Sequence, residues 1–243
     1  MKKHLPNIIT CCNLICGAIA TFLAIATFLA SQSVFAYAFL FILLGAFFDF
    51  FDGFTARKLG VSGPLGVQLD SLADDITFGL APAMMVFGYL RPIIGWWAGI
   101  ALLMAAFAAL RLAKFNIDER QHTSFIGLAT PANAIFWGGI CSMPYAFTAA
   151  PWVPWVLIGL TFISDYLMIS EIPFFSLKFQ NGSWHENKGR YIFLIGCLLI
   201  LGFAIGEAVR YQQPLFTLFA GTGCIFWYVI MNLILRRSTW TKD

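Results

Sequence analysis

FFDFFDGFTARKLGVSGPLGVQLDSLADD, residues 47–75, holds five of the twelve acidic residues in a 243-residue chain: Asp49, Asp52, Asp70, Asp74 and Asp75. Around it the chain is oily, 60% hydrophobic and only 11% charged, with a mean hydropathy of +0.79. Soluble domains carry about 25% charged residues. With less than half that share, the chain cannot cover a water-facing surface, and the expected class is a polytopic membrane protein. Carboxylates concentrated in such a chain need a physical reason.

Apolar runs near the bilayer-spanning length of about twenty residues fall at 8–31, 34–57, 68–89, 92–115, 130–148, 152–170, 190–208 and 214–236. The expected fold is therefore all-α, a membrane bundle of about eight transmembrane helices. The connections are short except 116–129 and 171–189, and neither has room for a soluble domain. One integral-membrane domain over 1–243 is expected, with no repeat and no low-complexity tract. The first run is too long for the apolar core of a signal peptide. It also carries Asn7, Thr10 and Asn13, which a cleaved segment has no use for, so it reads as the first membrane helix.

Positive charge sets the orientation. With the N-terminus in the cytoplasm, that side receives Lys2, Lys3, Arg57, Lys58, Arg111, Lys114, Arg120, Lys178, Lys188, Arg190, Arg236, Arg237 and Lys242. The other side receives Arg91 and Arg210, a split of 13 against 2 that accounts for all 15. Both termini and the aspartate stretch are then expected at the cytoplasmic face. Nucleic acid is excluded as a partner, because no basic stripe with interleaved aromatics is present. The six cysteines all lie in apolar runs without metal-ligand spacing and read as small packing residues. His4, His122 and His185 read as loop residues.

On this map Asp49 and Asp52 lie near the cytoplasmic end of the second helix, three residues apart and on one face. Asp70 and Asp74, four apart, share a face at the start of the third. The connector Gly60-Val61-Ser62-Gly63-Pro64 turns the chain back between them. Two antiparallel neighbours thus present two carboxylates each at similar depth. An ionised carboxylate deep in a membrane helix costs ~2.5–3.5 kcal/mol on insertion scales, and four together repel one another. Arg57 and Lys58 are too few and too peripheral to neutralise them. One or two divalent cations resolve the conflict, and an all-oxygen donor set points to Mg²⁺ or Mn²⁺. Two metals bridged by four aspartates would clamp a phosphate group. Gly53, Ala56 and Gly66 leave room for a bulky ligand beside the backbone, or serve close helix packing. Arg57 is placed to pair with a phosphate or a ligating carboxylate. Asp75 is one residue off the shared face and reads as a supporting or helix-start charge.

The pattern Asp49-x-x-Asp52-Gly53-x-x-Ala56-Arg57-x8-Gly66-x3-Asp70-x3-Asp74 resembles the complete signature of the CDP-alcohol phosphotransferases. All eight defined positions match at the required spacings. The resemblance implies an integral membrane enzyme that joins the phosphatidyl part of a CDP-linked lipid to an alcohol and releases CMP. It further implies two metal ions among Asp49, Asp52, Asp70 and Asp74, with Asp74 also the general base. The CDP-lipid is expected against Asp52, Gly53, Ala56, Arg57 and Gly66, with the nucleotide on the last four.

Other stretches narrow the acceptor. PNIITCCNLICG (6–17), DSLADDITFGLAPA (70–83), RLAKFN (111–116), FIGLATPANA (125–134) and YLMIS (166–170) are similar to segments of membrane-integral phosphatidylserine synthases, over about three-quarters of the chain. This implies CDP-diacylglycerol and L-serine as substrates and a homodimer in the bilayer. It also implies that Asn7 and Thr10 touch the nucleotide; alternatively they hydrogen-bond between helices. Lys114, Ala129 and Glu171 depart from the usual residues of that group, which bears on the detailed serine contacts. Arg111, Lys114 and Asn116 are the expected serine-binding residues, since a guanidinium can hold a carboxylate through two hydrogen bonds. The plainer readings are topology-setting charge for Arg111, Lys114 and Arg120, and a helix cap for Asn116. Nothing suggests a covalent intermediate, so a single displacement is expected. Synthases for phosphatidylglycerophosphate or phosphatidylinositol are the alternatives within the family. A divalent-metal transporter is the alternative outside it, opposed by the lack of a polar route through the other half of the membrane.

Overall fold

The computed structural model describes residues 4–26, 33–61, 63–118, 125–144, 150–174 and 184–239. The expected charges Lys2, Lys3, Arg120, Lys178 and Lys242 and the loop reading of His122 lie outside these, as do the side chains of His185, Arg236 and Arg237. Helices follow one another as the apolar runs dictate: α1 (Leu5–Ala26), α2 (Val34–Leu59), α3 (Pro64–Asp74), α4 (Ala81–Ile94), α5 (Leu103–Ile117), α6 (Thr130–Cys141), α7 (Val153–Ile169), α8 (Trp184–Arg210) and α9 (Ala220–Thr239). A π-helical segment, Asp75–Leu80, joins α3 to α4 without a break, and 3-10 turns at Gly95–Leu102 and Pro214–Phe219 lead into α5 and α9.

Among the described residues five stretches are long and apolar enough to cross a membrane, and the 54-residue run Pro64–Ile117 among them contains two of the expected spans. Val153–Ile169 is apolar but shorter. The architecture is a polytopic helical bundle. Some ends move from their expected places. The third span begins at Pro64 rather than 68, because proline is well placed in a first helical turn, where its missing N–H costs nothing. The fifth stops at Cys141 rather than 148. Pro144 follows, and a proline drives the residue before it out of the helical region. His185 is part of α8, not of a loop.

The helix turn beside the aspartates is built as its residues require. Gly60 caps α2 in the left-handed region (φ 63°), its N–H reaching the carbonyls of Ala56 and Arg57, a conformation glycine takes without a Cβ clash. α1 packs against α2, α3, the π segment and α4, and its inward face is small or polar: Thr10, Asn13, Cys16, Gly17, Ala20 and Ala24. Small residues let membrane helices approach closely. α6 sits centrally against α2, α4 and α9, while α5 packs on the π segment and α7. The apolar core between them includes Phe35, Phe39, Phe78, Met85, Tyr89, Met104 and Trp137, with Trp137 Nε1 donating to Ser164 Oγ at 3.1 Å. Far from the aspartates, at the other end of the bundle, Trp96, Trp97 and Trp152 are exposed, as aromatic side chains at a membrane interface are.

The two long connections meet in a two-residue antiparallel ladder, β1 (Phe125–Ile126) on β2 (Pro173–Phe174), with Phe125 opposite Phe174 and Ile126 opposite Pro173. It ties the end of α5 to the end of α7.

Close approach of α1 to the π segment depends on Gly17. A Cβ there would run into Thr77 Oγ1 and lie 2.7 Å from the Thr77 Cα. Because backbone is involved, the neighbour cannot rotate away. Overpacking of this kind costs about 1–3 kcal/mol. Gly17→Val is therefore expected to lower the melting temperature in detergent by several degrees, whereas Gly99→Val, with open space at its Cβ position, changes it little.

Candidate active site

The end of α2 and the start of α3 bring the aspartates together as their spacings require. One carboxylate oxygen from each of Asp49, Asp70 and Asp74 lies within 4.8 Å of the others. Asp74 is only 9% exposed, and its Oδ1 accepts from Asn13 Nδ2 at 3.0 Å. Asp52, buried at 6% exposure, stands outside the close trio. Its Oδ2 accepts from Thr10 Oγ1 at 2.6 Å. It remains within electrostatic reach of the other three. Asp75 turns away toward α5: a Cβ built on Gly79 would be 2.8 Å from both Asp75 Oδ1 and Ala108 Cβ.

The donor set suits a hard divalent cation, since it is oxygen throughout. Asp70 Oδ1 is buried without a hydrogen-bond partner among the described residues. Among the described residues no lysine or arginine forms an ion pair with Asp49, Asp70 or Asp74. Unpaired carboxylates this close repel by about 3–4 kcal/mol per pair at an effective dielectric constant near 20. The cluster can hold a metal ion, and binding one relieves that repulsion.

Beside the cluster a pocket of about 130 Å³ opens between α1, α2 and α3. Of the seven residues expected to bind the nucleotide lipid, six line it: Asn7, Thr10, Asp52, Gly53, Ala56 and Gly66, with Asp70 at the boundary to the carboxylate trio. The seventh, Arg57, is exposed on the rim. Its Nη1 lies 3.4 Å from where a Cβ of Gly53 would sit, so the guanidinium folds back over that glycine. A Cβ on Gly66 would touch Asn7 Oδ1 at 3.5 Å, so α1 and α3 are close enough for both to face one ligand. Thr10 is engaged by Asp52 and sits 3.1 Å from the Pro6 carbonyl oxygen, which satisfies the interhelical reading as well.

The expected serine residues do not stay together. Arg111 is 7% exposed; its Nη1 donates to Thr130 Oγ1 at 3.2 Å, and Asp74 is within its electrostatic reach. Lys114 is exposed, with Nζ 3.5 Å from the Ile169 carbonyl oxygen. Both line a second cavity of about 350 Å³ between the ends of α5 and α7, shared with Ser170 and Glu171. Asn116 is elsewhere. Its Nδ2 donates to Ser71 Oγ at 2.7 Å, tying α5 to α3, and the cap of α5 is Asp118.

Asn13 is the residue at the site that motif reading passes over. It is fully buried, and Thr77 Oγ1 donates to its carbonyl oxygen at 3.0 Å. The signal was present: Asn7, Thr10 and Asn13 are polar residues at three-residue intervals in an otherwise apolar helix, and that spacing marks one face.

A model of the CDP-alcohol phosphatidyltransferase family matches residues 3–174. The chain is 37% identical over 192 residues to the CDP-diacylglycerol--serine O-phosphatidyltransferase of Bacillus subtilis (strain 168), covering 75% of this chain and 99% of that protein. It is 34% identical over 162 residues to the protein of the same name from Methanocaldococcus jannaschii, covering 66% and 72%. To that from Helicobacter pylori (strain J99 / ATCC 700824) it is 27% identical over 236 residues, covering 95% and 93%. With its aspartate cluster, its pocket and a match across 3–174, the chain belongs to the CDP-alcohol phosphatidyltransferase family.

Proposed function

We propose that this chain is a phosphatidylserine synthase, moving the phosphatidyl group of CDP-diacylglycerol onto the hydroxyl of L-serine and releasing CMP. The observation that carries the reaction is the convergence of Asp49, Asp70 and Asp74, with oxygens within 4.8 Å, beside a pocket lined by Asn7, Thr10, Gly53, Ala56 and Gly66. The acceptor is supported by relatives whose names specify serine.

Asp49, Asp52, Asp70 and Asp74 would hold two divalent cations, Mg²⁺ or Mn²⁺. Bound there, the cations offset negative charge on the phosphoryl oxygens and the leaving phosphate. Asn7, Thr10, Asp52, Gly53, Ala56, Arg57 and Gly66 bind the CDP part, while the acyl chains stay in the bilayer. Arg111 and Lys114 draw the serine carboxylate in, and Arg111 stands between their cavity and Asp74. Asn116 steadies that region through Ser71. Asp74 takes the hydroxyl proton. The serine oxygen bonds to the phosphorus that carries diacylglycerol, and the bond from that phosphorus to the CMP oxygen breaks. The protein works as a homodimer in the bacterial cytoplasmic membrane, with both termini and the site facing the cytoplasm and 1–243 forming one catalytic domain. The positive-charge asymmetry supports that orientation.

The test is an acceptor screen with purified protein, CDP-diacylglycerol and either serine, glycerol-3-phosphate or inositol. CMP release with formation of phosphatidylserine is expected for serine alone. Faster CMP release with glycerol-3-phosphate or inositol would replace the acceptor assignment; no CMP release with any alcohol would remove the reaction.

A further inference from the structure

We propose that Asn13 is a positioning residue for Asp74, and that Thr77 holds it in place. The proposal rests on the reading of Asp74 as the base. A carboxylate only accepts hydrogen bonds, so the Asn13 amide must turn its N–H₂ toward Asp74 whichever way its two ends are drawn. The bond, Asn13 Nδ2 to Asp74 Oδ1 at 3.0 Å, occupies one oxygen of the pair. Oδ2 is left for the acceptor's proton.

A second contact reaches the same backbone. Thr77, three residues after Asp74 in the π segment, donates from Oγ1 to the Asn13 carbonyl oxygen at 3.0 Å. Thr77 is itself clasped between helices. Its Oγ1 lies against the Cβ position of Gly17 and its Cγ2 2.6 Å from that of Gly45. Asn13 Oδ1 is 2.9 Å from the same point on Gly45. With no Cβ on either glycine, α1 and α2 close on Thr77. A widened turn of this kind inside an α-helix is often found at functional sites. Here it puts Asp74 and Thr77 against one residue of α1.

The arrangement opposes a specific failure. Asp74 shares its space with Asp49 and Asp70, and repulsion would swing its carboxylate away from them. Asn13 is uncharged, so it pins the carboxylate without neutralising it. Arg111 could not substitute, because a guanidinium against Asp74 would form a closed ion pair and compete with both cation and proton.

The test compares Asn13→Leu with the parent chain, measuring kcat, both KM values, CDP-lipid binding without serine, and melting temperature. Removing partners that orient an active group typically costs about 10–100-fold. The expected result is a fall in kcat of that size, with both KM values and CDP-lipid affinity within about two-fold. Unchanged kcat, or a defect confined to KM, would overturn the proposal. Should Asn13→Leu fail to fold, Thr77→Val, which keeps shape and removes the donor, decides on the same criteria, with a smaller expected fall of about three- to ten-fold. An active Asp74→Asn variant would remove the base reading itself. An inactive Asp74→Asn with a normal Asn13→Leu would remove only the positioning role.

Discussion

Asp74→Asn is expected to reduce turnover at least about a thousand-fold, close to 4 kcal/mol of barrier at ~1.4 kcal/mol per factor of ten. General-base catalysis alone contributes about 10²–10⁴-fold, and the substitution also weakens an oxygen donor in the trio with Asp49 and Asp70. Asparagine keeps the shape, so the bundle around this site, only 9% exposed, has no reason to collapse. CDP-lipid binding should largely survive. The pocket wall that would receive the nucleotide, with Asn7, Thr10, Gly53, Ala56 and Gly66, does not include Asp74. CMP release and calorimetric binding of CDP-diacylglycerol, measured on the same preparation, separate the two effects. A variant that still turns over would take away the base assignment.

Removing divalent cations should be nearly as severe. After chelation, activity is expected to fall more than about a hundred-fold and to return with Mg²⁺ or Mn²⁺. A readout independent of turnover accompanies it. A ligand at a hundred times its dissociation constant stabilises the folded state by about 2.7 kcal/mol, so adding the cation should raise the melting temperature by roughly 5–10 °C for a chain of this size. Asp49→Asn, which removes one of the three converging oxygens, should shift the cation concentration for half-activity upward by at least about ten-fold. Activity and melting temperature both indifferent to chelation would contradict the metal reading.

Most of the fold was legible because hydrocarbon imposes one pattern, long apolar runs: among the described residues five stretches are long and apolar enough to cross a membrane, one of them holding two expected spans, and Val153–Ile169 is a shorter apolar helix, while the expected span 130–148 is only the 12-residue α6. The convergence of aspartates was legible for a related reason. Spacings of three and four place side chains on one helix face, and Gly60 and Pro64 announce the turn that makes α2 and α3 neighbours. What escaped has local physical causes. A ladder of two residues, 125–126 on 173–174, is too short to carry any periodicity. The π segment Asp75–Leu80 depends on packing against α1 and α5, which composition does not encode. The bond from Asn13 to Asp74 joins residues 61 apart, and a polar side chain in an apolar helix does not name its partner.

Grouping Arg111, Lys114 and Asn116 followed a motif where geometry separates them. At 3.6 residues per turn, positions five apart lie about 140° around the helix from each other. Arg111 therefore faces Thr130 and the cavity at α7, and Asn116 faces Ser71 on α3.

The central claim is that carboxylates from two adjacent spans gather around divalent cation at the mouth of the nucleotide pocket. The most direct measurement is anomalous scattering from crystals of the whole chain grown with Mn²⁺ and CDP-diacylglycerol. The account predicts manganese density bonded to carboxylate oxygens of Asp49, Asp70 and Asp74, with the pyrophosphate alongside. Manganese bound elsewhere, with those three side chains uncoordinated while CDP-lipid fills the pocket, would contradict it.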